Sequence, residues 1–337
     1  MLRLVARRLA GAIPNVIGIV VVTFLLARAL PGDPAAYFAG PAATQEAVAQ
    51  IRASLGLDKS VVHQFAIYVK DMAQGNLGVS LTTGQPVLKE IVQRLPASIE
   101  VTLCGLLFAT VIAIPLGVLA ATRPGSWADH LSRLLATAGV SLPTFFTGLL
   151  LAYLFYFLMG IAPSPIGRVD VAFSPPATVT GFYLVDSLLA KDLELLWACA
   201  KQLILPAVTL GVFVMAPLMR MTRASMLGVL SSDFIRTARA SGLPRGTVLF
   251  KYAFRNAMLP IVTTMGMVFS FLLGSNVIVE KVFAWPGIGS FALEALVASD
   301  YAPVQGFVLT MAILYLLLNL AIDVLYGVID PRVAVEG

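Results

Sequence analysis

Six long stretches without a charged residue constrain this chain more than any other feature of its sequence. Each lacks Asp, Glu, Lys and Arg for about 18 residues or more, the length that crosses a bilayer as a helix. The windows are Leu9–Ala27, Val101–Thr122, Leu134–Gly167, Gln202–Met219, Asn256–Val279 and Tyr301–Ile322. Charged residues make up only 12% of the chain, about half the share that is typical of soluble domains. We therefore expect an all-α polytopic membrane protein with six transmembrane helices.

Basic residues predict the orientation, because short cytoplasmic connections carry an excess of Lys and Arg. Three precede the first window, Arg123 and Arg133 flank the second connection, seven lie between Arg220 and Arg255, and only Lys281 lies in the fifth connection. Both termini are then cytoplasmic. The net charge of +5 follows from this topology, so we expect membrane lipid and no nucleic acid as a partner.

The basic start and the sequence Ala27-Arg28-Ala29 resemble a cleaved signal peptide. The apolar run of the first window is longer than the h-region of such a peptide, which is about 7 to 15 residues. We therefore expect an uncleaved first helix.

Two outer connections are long enough to fold. The segment 31–95 contains helical patterns at Gln45–Leu55 and Val62–Met72, which predict a small cap. The segment 160–201 begins with four prolines, so its first half should be irregular or strand-like, and Asp186–Ala200 should be helical.

Prolines and a few polar residues interrupt the apolar windows. Bends are expected at Pro115, Pro143, Pro206 and Pro217, since proline removes a backbone donor from a helix. Four polar side chains lie deep enough to line a path through the membrane, although such groups also bond neighbouring helices in lipid. These candidates are Thr144, Thr147, Thr209 and Asn276.

The fourth connection contains a short helix outside the membrane. Ser231, Ser232 or Asp233 can cap its N-terminus, and Gly242 supplies the left-handed residue at which a helix ends. Pro244 then begins the next helix. The short helix carries Phe234 and Ile235 on its surface and is flanked by basic residues, which suits a groove on a partner.

Sites for an energy source are missing from the sequence. No window holds an ionisable residue, and Glu100, Glu280, Arg28 and Asp323 lie at window ends, where interface anchors are expected. No phosphate-binding loop occurs, so this chain binds no ATP in the usual way. Cys104 and Cys199 have no metal-ligand spacing and receive no role. We therefore expect this chain to be the membrane part of a complex in which another polypeptide supplies the energy.

Nine short motifs, spread in order along the chain, resemble the permease subunits of ABC importers in the branch for dipeptides, oligopeptides, glutathione or nickel. They are Leu30-Pro-Gly-Asp-Pro34, Leu55-Gly-Leu-Asp58, Gly75-Asn-Leu-Gly78, Arg94-Leu-Pro96, Arg220-Met-Thr-Arg-Ala-Ser-Met-Leu227, Arg236-Thr-Ala-Arg-Ala-Ser-Gly242, Arg255-Asn-Ala-Met-Leu-Pro260, Trp285-Pro-Gly-Ile-Gly289 and Asp330-Pro-Arg332. Arg236 stands where the general permease loop has Glu. Further along, the general loop has an apolar residue and then Leu-Pro. This chain has Tyr252 at the first of these positions and Phe254-Arg255 at the second, and its own Leu259-Pro260 comes five residues later.

The resemblance implies an ABC importer type I permease in the bacterial cytoplasmic (inner) membrane. It implies a coupling helix that contacts an ATPase subunit through Asp233, Arg236, Thr237, Ala238, Arg239 and Gly242. The implied partners are a second homologous permease, two ATP-binding subunits that carry the ATP and Mg, and a periplasmic or lipid-anchored substrate-binding protein. This chain then binds no cofactor and is not itself an enzyme.

Dipeptides or short oligopeptides are the expected substrates, with nickel, glutathione or another small solute as alternatives. A gradient-driven transporter and a membrane scaffold without transport activity are the competing classes. The expected segments are the N-terminus and first helix at 1–30, the periplasmic cap at 31–96, and the permease core at 97–337. The core includes a periplasmic loop at 160–201 and a cytoplasmic coupling loop at 220–257.

Overall fold

The computed structural model describes residues 2–29, 33–40, 43–54 and 56–329, and this part of the chain is helical with no β-strand. The helices are α1 Leu2–Ala29, α2 Pro34–Ala39, α3 Gln45–Ser54, α4 Val61–Ala73, α5 Val87–Thr122, α6 Trp127–Ser141, α7 Thr144–Leu151, α8 Tyr183–Leu189, α9 Leu193–Leu230, α10 Asp233–Ala240, α11 Arg255–Val282, α12 Ile288–Val297 and α13 Tyr301–Ile329. Two π-helical segments, Ala152–Leu158 and Thr247–Phe254, continue α7 and precede α11. The all-α prediction is confirmed.

Among the residues that the structure describes, four helices are long and apolar enough to cross a membrane: Val87–Thr122, Leu193–Leu230, Thr247–Val282 and Tyr301–Leu325. They correspond to the second, fourth, fifth and sixth charge-free windows. Helix α1 has 28 residues, and the stretch Ile13–Leu25 within it is a shorter apolar helix. The multi-pass architecture is thus confirmed, and the count of six spans stays a prediction.

The third window is sharply bent, which confirms the bend expected at Pro143. Its two arms, Trp127–Ser141 and Thr144–Leu158, meet at an angle of 104°. The break falls at Leu142, whose φ of −104° and ψ of 135° are extended. The residue before a proline is driven out of the helical region by contact with the proline ring, and Pro143 follows directly. Helices α5 and α9, in contrast, continue through Pro115 and through Pro206 and Pro217.

The structure divides into two compact units, one formed by Ala97–Trp285 with the chain from Leu318, the other by Leu2–Pro96 with Pro286–Leu317. Packing defines these units, whereas the predicted segments 1–30, 31–96 and 97–337 follow the membrane topology. That functional division stays a prediction.

Helix α9 is the centre of the larger unit. Helices α6, α7, α8 and α11 all pack on it. The buried share of its apolar window is 72%, compared with 33% for α5 and 39% for α11. A helix that is apolar on all sides belongs in the middle of a bundle, and α9 has this character.

Glycines allow α5 and α9 to approach closely. A Cβ atom on Gly211 would lie 2.5 Å from Cδ1 of Phe108 and 2.8 Å from the carbonyl oxygen of Gly105. A Cβ on Gly105 would lie 2.9 Å from Cβ of Leu210. Neither helix has space for a side chain at this crossing, which is the usual reason for small residues between membrane helices.

The smaller unit contains the predicted cap. Helices α3 and α4 confirm the two helices expected there. In the same unit, Asp300 joins the loop before α5 to the start of α13. Its carboxylate accepts from Ser80 Oγ at 2.7 Å, from Leu81 N at 2.7 Å and from Thr82 N at 3.1 Å. These bonds hold the turn that contains an isolated β-bridge between Val79 and Pro86.

Other sequence predictions have mixed outcomes. Residues 160–182 form neither helix nor strand, as expected for the proline-rich segment, and α8 and α9 follow. Three of the family motifs extend beyond the described residues: Leu30, Pro31 and Gly32 of the first, Leu55 of the second, and Asp330-Pro-Arg332.

The α5–α9 contact predicts a contrast between two glycines of the same helix. Gly211→Ala should destabilise the protein by about 1–3 kcal/mol, because an added methyl overpacks the crossing. Gly228→Ala is the matched control, since nothing lies within 4 Å of an added Cβ there. Thermal unfolding of the two purified variants measures the difference. Equal melting temperatures for both would contradict the close approach.

Candidate functional site

Helix α10 is short and its ends are well defined. It follows α9 after only Ser231 and Ser232, and its first turn contains Asp233, which suits the positive end of the helix dipole. Ser232 occupies the N-cap position with extended dihedrals, but its hydroxyl donates to the Val229 carbonyl at 2.6 Å rather than capping the helix. Of the three predicted caps, Ser231, Ser232 and Asp233, the two serine hydroxyls both donate to carbonyls of α9, so neither of them caps the helix. Gly242 has a φ of 75°, which confirms its predicted place after the helix end.

One face of α10 is buried in the chain's own core. Ile235 is 0% exposed and Ala238 is buried beside it. They belong to a cluster that also contains Val118, Ala121, Met226, Val248, Ala253, Ala257 and Ile261. The prediction that Ile235 lies on the surface is wrong. The spacing of three residues between Ile235 and Ala238 is the signal that could have revealed this buried face.

The opposite face of α10 is open to solvent. The side chains of Asp233 and Arg236 are 91% and 80% exposed and form an ion pair at 3.3 Å, which at this exposure contributes little stability. Phe234, Thr237 and Arg239 are also exposed. The exposed face therefore offers an aromatic ring among charges, an arrangement that is common at protein interfaces.

Six of the seven basic residues between positions 220 and 255 are exposed. They are Arg220, Arg236, Arg239, Arg245, Lys251 and Arg255. A positive field of this kind attracts a partner with an acidic surface.

The connection between α9 and α10 is held by hydrogen bonds. The backbone N–H groups of Ser231 and Ser232 donate to the carbonyls of Leu227 and Val229. The hydroxyl of Ser231 donates to the Gly228 carbonyl at 2.9 Å. The connection is therefore two residues long and is hydrogen-bonded to the last turn of α9.

Arg223, the seventh basic residue, is engaged within the protein. Its Nε donates to Oδ1 of Asp129 at 2.7 Å and its terminal nitrogen to Oδ2 at 3.1 Å. Asp129 lies in the first turn of α6 and also accepts from the backbone N–H of Gly125 at 2.9 Å. The hydrogen bond from Arg223 lowers the pKa of Asp129 to about 2, with the Gly125 bond as the next cause. Sequence reasoning missed this pair, because 94 residues separate its members.

The four candidate lining residues lie in different surroundings. Thr209 and Asn276 are buried, and Thr209 donates to the Leu205 carbonyl at 2.7 Å. In this conformation neither of them faces an open path. Thr144 and Thr147 are half-buried, and Thr147 donates to the Pro143 carbonyl at 3.3 Å. A role in lining the pathway stays a prediction.

Two glutamates that were expected to be interface anchors are buried instead. Glu100 forms an ion pair with Arg168 at 2.6 Å and accepts from the backbone N–H of Leu184 at 2.9 Å. Glu280 accepts from the hydroxyl of Ser98 and from the amide of Asn276, the latter at 3.0 Å. Both predictions are wrong, because a buried carboxylate needs partners and the folded chain supplies them.

No group of three or more His, Cys, Asp and Glu side chains that could hold a metal ion occurs among the described residues. Cys104 and Cys199 are free thiols.

Two sequence families match the chain. Residues 113–335 match the family described as a binding-protein-dependent transport system inner membrane component. Residues 1–102 match the N-terminal part of the membrane component of such systems.

Curated relatives match almost the full length. The chain is 43% identical over 331 residues to a probable D,D-dipeptide transport system permease protein of Escherichia coli (strain K12), covering 98% of this chain and 97% of the relative. It is 40% identical over 333 residues to the dipeptide transport system permease protein of Alkalihalophilus pseudofirmus, covering 99% of both. A glutathione transport system permease protein of Escherichia coli O6:H1 is 38% identical over 333 residues, again covering 99% of both chains.

A solved structure has the same fold. It is an inward-facing conformation of the MetNI methionine ABC transporter, with a TM-score of 0.54 and 18% sequence identity. The match covers 72% of this chain and 97% of that one.

The buried face of α10 predicts how the helix responds to truncation. Ile235→Ala should weaken the attachment of α10 by about 2–5 kcal/mol, since it removes fully buried atoms. Amide hydrogen exchange should then be faster across Asp233–Ala240 by a factor of at least about ten, because 1.4 kcal/mol corresponds to tenfold.

Phe234→Ala is the control for this measurement, because its side chain is exposed. It should leave exchange across α10 nearly unchanged. The same acceleration in both variants would contradict the orientation of the helix.

The ion pair of Asp129 predicts a specific pH dependence. Its pKa of about 2 in the folded protein lies below the ordinary value of 3.8. Stability from the ionised carboxylate is thus fully present above about pH 4 and is lost as the pH falls through 2.

The difference in melting temperature between wild type and Asp129→Asn should therefore be constant from pH 8 to pH 5 and should shrink below about pH 4. Thermal scans across this range measure it. A difference that vanishes near pH 6 would show that the carboxylate is not held as described.

Proposed function

Because this chain belongs to the family of binding-protein-dependent transport system inner membrane components, we propose that it is the permease subunit of an ATP-driven importer of dipeptides or short oligopeptides. In this role it forms half of the translocation pathway. The family match and the apolar helices make the chain a multi-pass inner membrane protein and an ABC importer permease.

Helix α10 is the observation that carries the proposed mechanism. Its buried face joins it to the ends of the membrane helices, and its exposed face offers Phe234, Arg236 and Arg239 to a partner. A helix of this kind transmits force from a protein outside the membrane to the spans. We propose an ATP-binding subunit as that partner, with Asp233, Thr237, Ala238 and Gly242 shaping the contact.

The two faces give these residues different tasks. Ala238 is buried and Gly242 lies beyond the helix end. Both residues therefore determine the position and length of the coupling helix and do not supply the main contact with the partner. The exposed side chains supply the contact itself. The basic surface around them favours an acidic groove on the ATPase.

The remaining partners follow from the architecture of such importers. A second homologous permease would supply the other half of the pathway, two ATP-binding subunits would bind ATP and Mg, and a periplasmic or lipid-anchored protein would deliver the substrate. This chain would bind no cofactor and catalyse no reaction. Exposed leucines and valines along α5, among them Leu103, Leu107 and Val111, are suited to lipid or to the second permease.

The basic connections support an orientation with both termini in the cytoplasm. Helix α10 contains Arg236 and Arg239, and Arg220 and Arg245 lie in the segments on either side of it. Basic connections remain cytoplasmic. The ATP-binding subunits work on that side.

The names of the relatives favour dipeptides as substrates. Permease proteins of dipeptide systems reach 43% identity, whereas that of a glutathione system reaches 38%. Glutathione is itself a tripeptide derivative, so it remains the alternative solute for the same machine. A gradient-driven transporter is less well supported, since the charge-free windows lack an ionisable group for the coupling ion.

Reconstitution tests the proposal. The chain, purified with its second permease and ATP-binding subunits and placed in liposomes with the binding protein, should take up labelled dialanine only when ATP is supplied on the side of α10. A catalytically inactive ATP-binding subunit should abolish uptake. Collapse of the proton gradient should leave it unchanged.

Labelled glutathione under the same conditions distinguishes the two solutes. Uptake of dialanine should be faster than uptake of glutathione. Uptake driven by a proton gradient without ATP would contradict the proposal, as would concentration of dialanine by this chain reconstituted alone.

A further inference from the structure

An ion pair ties the start of α6 to the far end of α9. Asp129 is 2% exposed, and Arg223 binds both of its oxygens in a forked arrangement. Such a bidentate pair fixes direction as well as distance, since both N–H groups must point at the carboxylate. The pair therefore resists rotation of one helix against the other.

The turn between α5 and α6 is part of the same attachment. The Gly125 N–H donates to Asp129, and its φ of 76° lies in the left-handed region that favours glycine. Ser126 caps α6 by accepting from the Asp129 N–H at 3.4 Å. The carboxylate thus holds the turn, the helix start and α9 at one point.

Arg223 lies close to the coupling helix along a rigid path. Leu230, the last residue of α9, lies seven positions after Arg223, a rise of about 10 Å. The hydrogen-bonded turn at Ser231 and Ser232 then leads directly into α10. Beside it, Thr222 packs on α5, since a Cβ on Gly117 would lie 2.7 Å from Cβ of Thr222. A continuous helix and a hydrogen-bonded turn thus connect the Arg223–Asp129 pair to α10.

The other end of α6 leads towards the core of the larger unit. After the 104° break, α7 packs against α9 and α11. A Cβ on Gly148 of α7 would lie 3.2 Å from Phe283 and 3.3 Å from Thr209. Helix α6 is thus attached at its start to Arg223 of α9 and joined at its end to the buried part of the bundle.

We propose that Asp129 and Arg223 are positioning residues that carry the displacement of α10 to α6, and so set how much solute is moved for each ATP hydrolysed. The proposal rests on the importer function above. Neither residue contacts the ATP-binding subunit or the solute in this role. They act by keeping the start of α6 in step with α9.

A purely structural role for the pair makes a different prediction. Loss of a structural contact lowers the amount of folded complex and reduces uptake and ATP hydrolysis together. Loss of a contact that transmits movement leaves ATP hydrolysis at its stimulated rate but reduces uptake. The ratio of dipeptide taken up to ATP hydrolysed separates the two roles.

The experiment uses the complete importer in liposomes, with wild type, Asp129→Asn, Arg223→Gln and the double variant. Each single variant should lower the ratio of dialanine uptake to ATP hydrolysis about tenfold, and the double variant should be no worse than either single one, since all three break the same contact. The control is Arg133→Gln, which removes an exposed charge one turn further along α6 and 3.8 Å from Asp129. It should keep the wild-type ratio.

A wild-type ratio in both single variants would overturn the proposal. So would a fall in ratio for Arg133→Gln as large as for Arg223→Gln, because the effect would then follow general charge rather than the pair. Absence of ATP-dependent uptake by the wild-type complex would instead refute the proposed function.

Discussion

The burial of Ile235 and Ala238 is the contact on which the α10 end of this protein depends. An isolated helix of eight residues is unstable in water, since nucleation costs more than so few hydrogen bonds return. Helix α10 exists because these two side chains pack against the ends of α5 and α9, the π-helical segment and α11. The packed helix ends therefore determine the orientation of α10. That orientation in turn determines which way the basic residues on its exposed face point.

Buried polar groups in the larger unit are also held by specific partners. Arg168 and Glu100 form an ion pair with both side chains almost fully buried, and removal of one member would leave an uncompensated charge that costs about 3–5 kcal/mol. Ser98 and Asn276 satisfy Glu280 in a similar way. These contacts tie the irregular segment 160–182 and the end of α11 to α5, so the apolar spans are joined by a few specific polar contacts.

Local patterns in the sequence were sufficient to predict much of this structure. The charge-free windows locate four long apolar helices, periodicity locates α3 and α4, and Gly242 marks the end of the short helix. The failures share one cause, which is that burial depends on neighbours distant in sequence. Ile235 is buried by residues of four other elements. Arg168 and Arg223, the partners of Glu100 and Asp129, lie 68 and 94 residues away. The sharp break at Pro143 was predicted only as a bend, since a proline restricts its neighbour without dictating the angle.

If α10 and the spans move as one body, a distance measured between them stays constant through the transport cycle. Spin labels on Ala240→Cys at the end of α10 and Ile278→Cys in α11, both exposed positions, report that distance in the complete importer with Cys104 and Cys199 replaced by alanine. It should shift by less than about 2 Å between the nucleotide-free and ATP-bound states, the scale of small helix adjustments. A shift of about 5 Å or more, the size of one helical turn, would show that α10 moves independently of the spans and would contradict its role as a rigid lever.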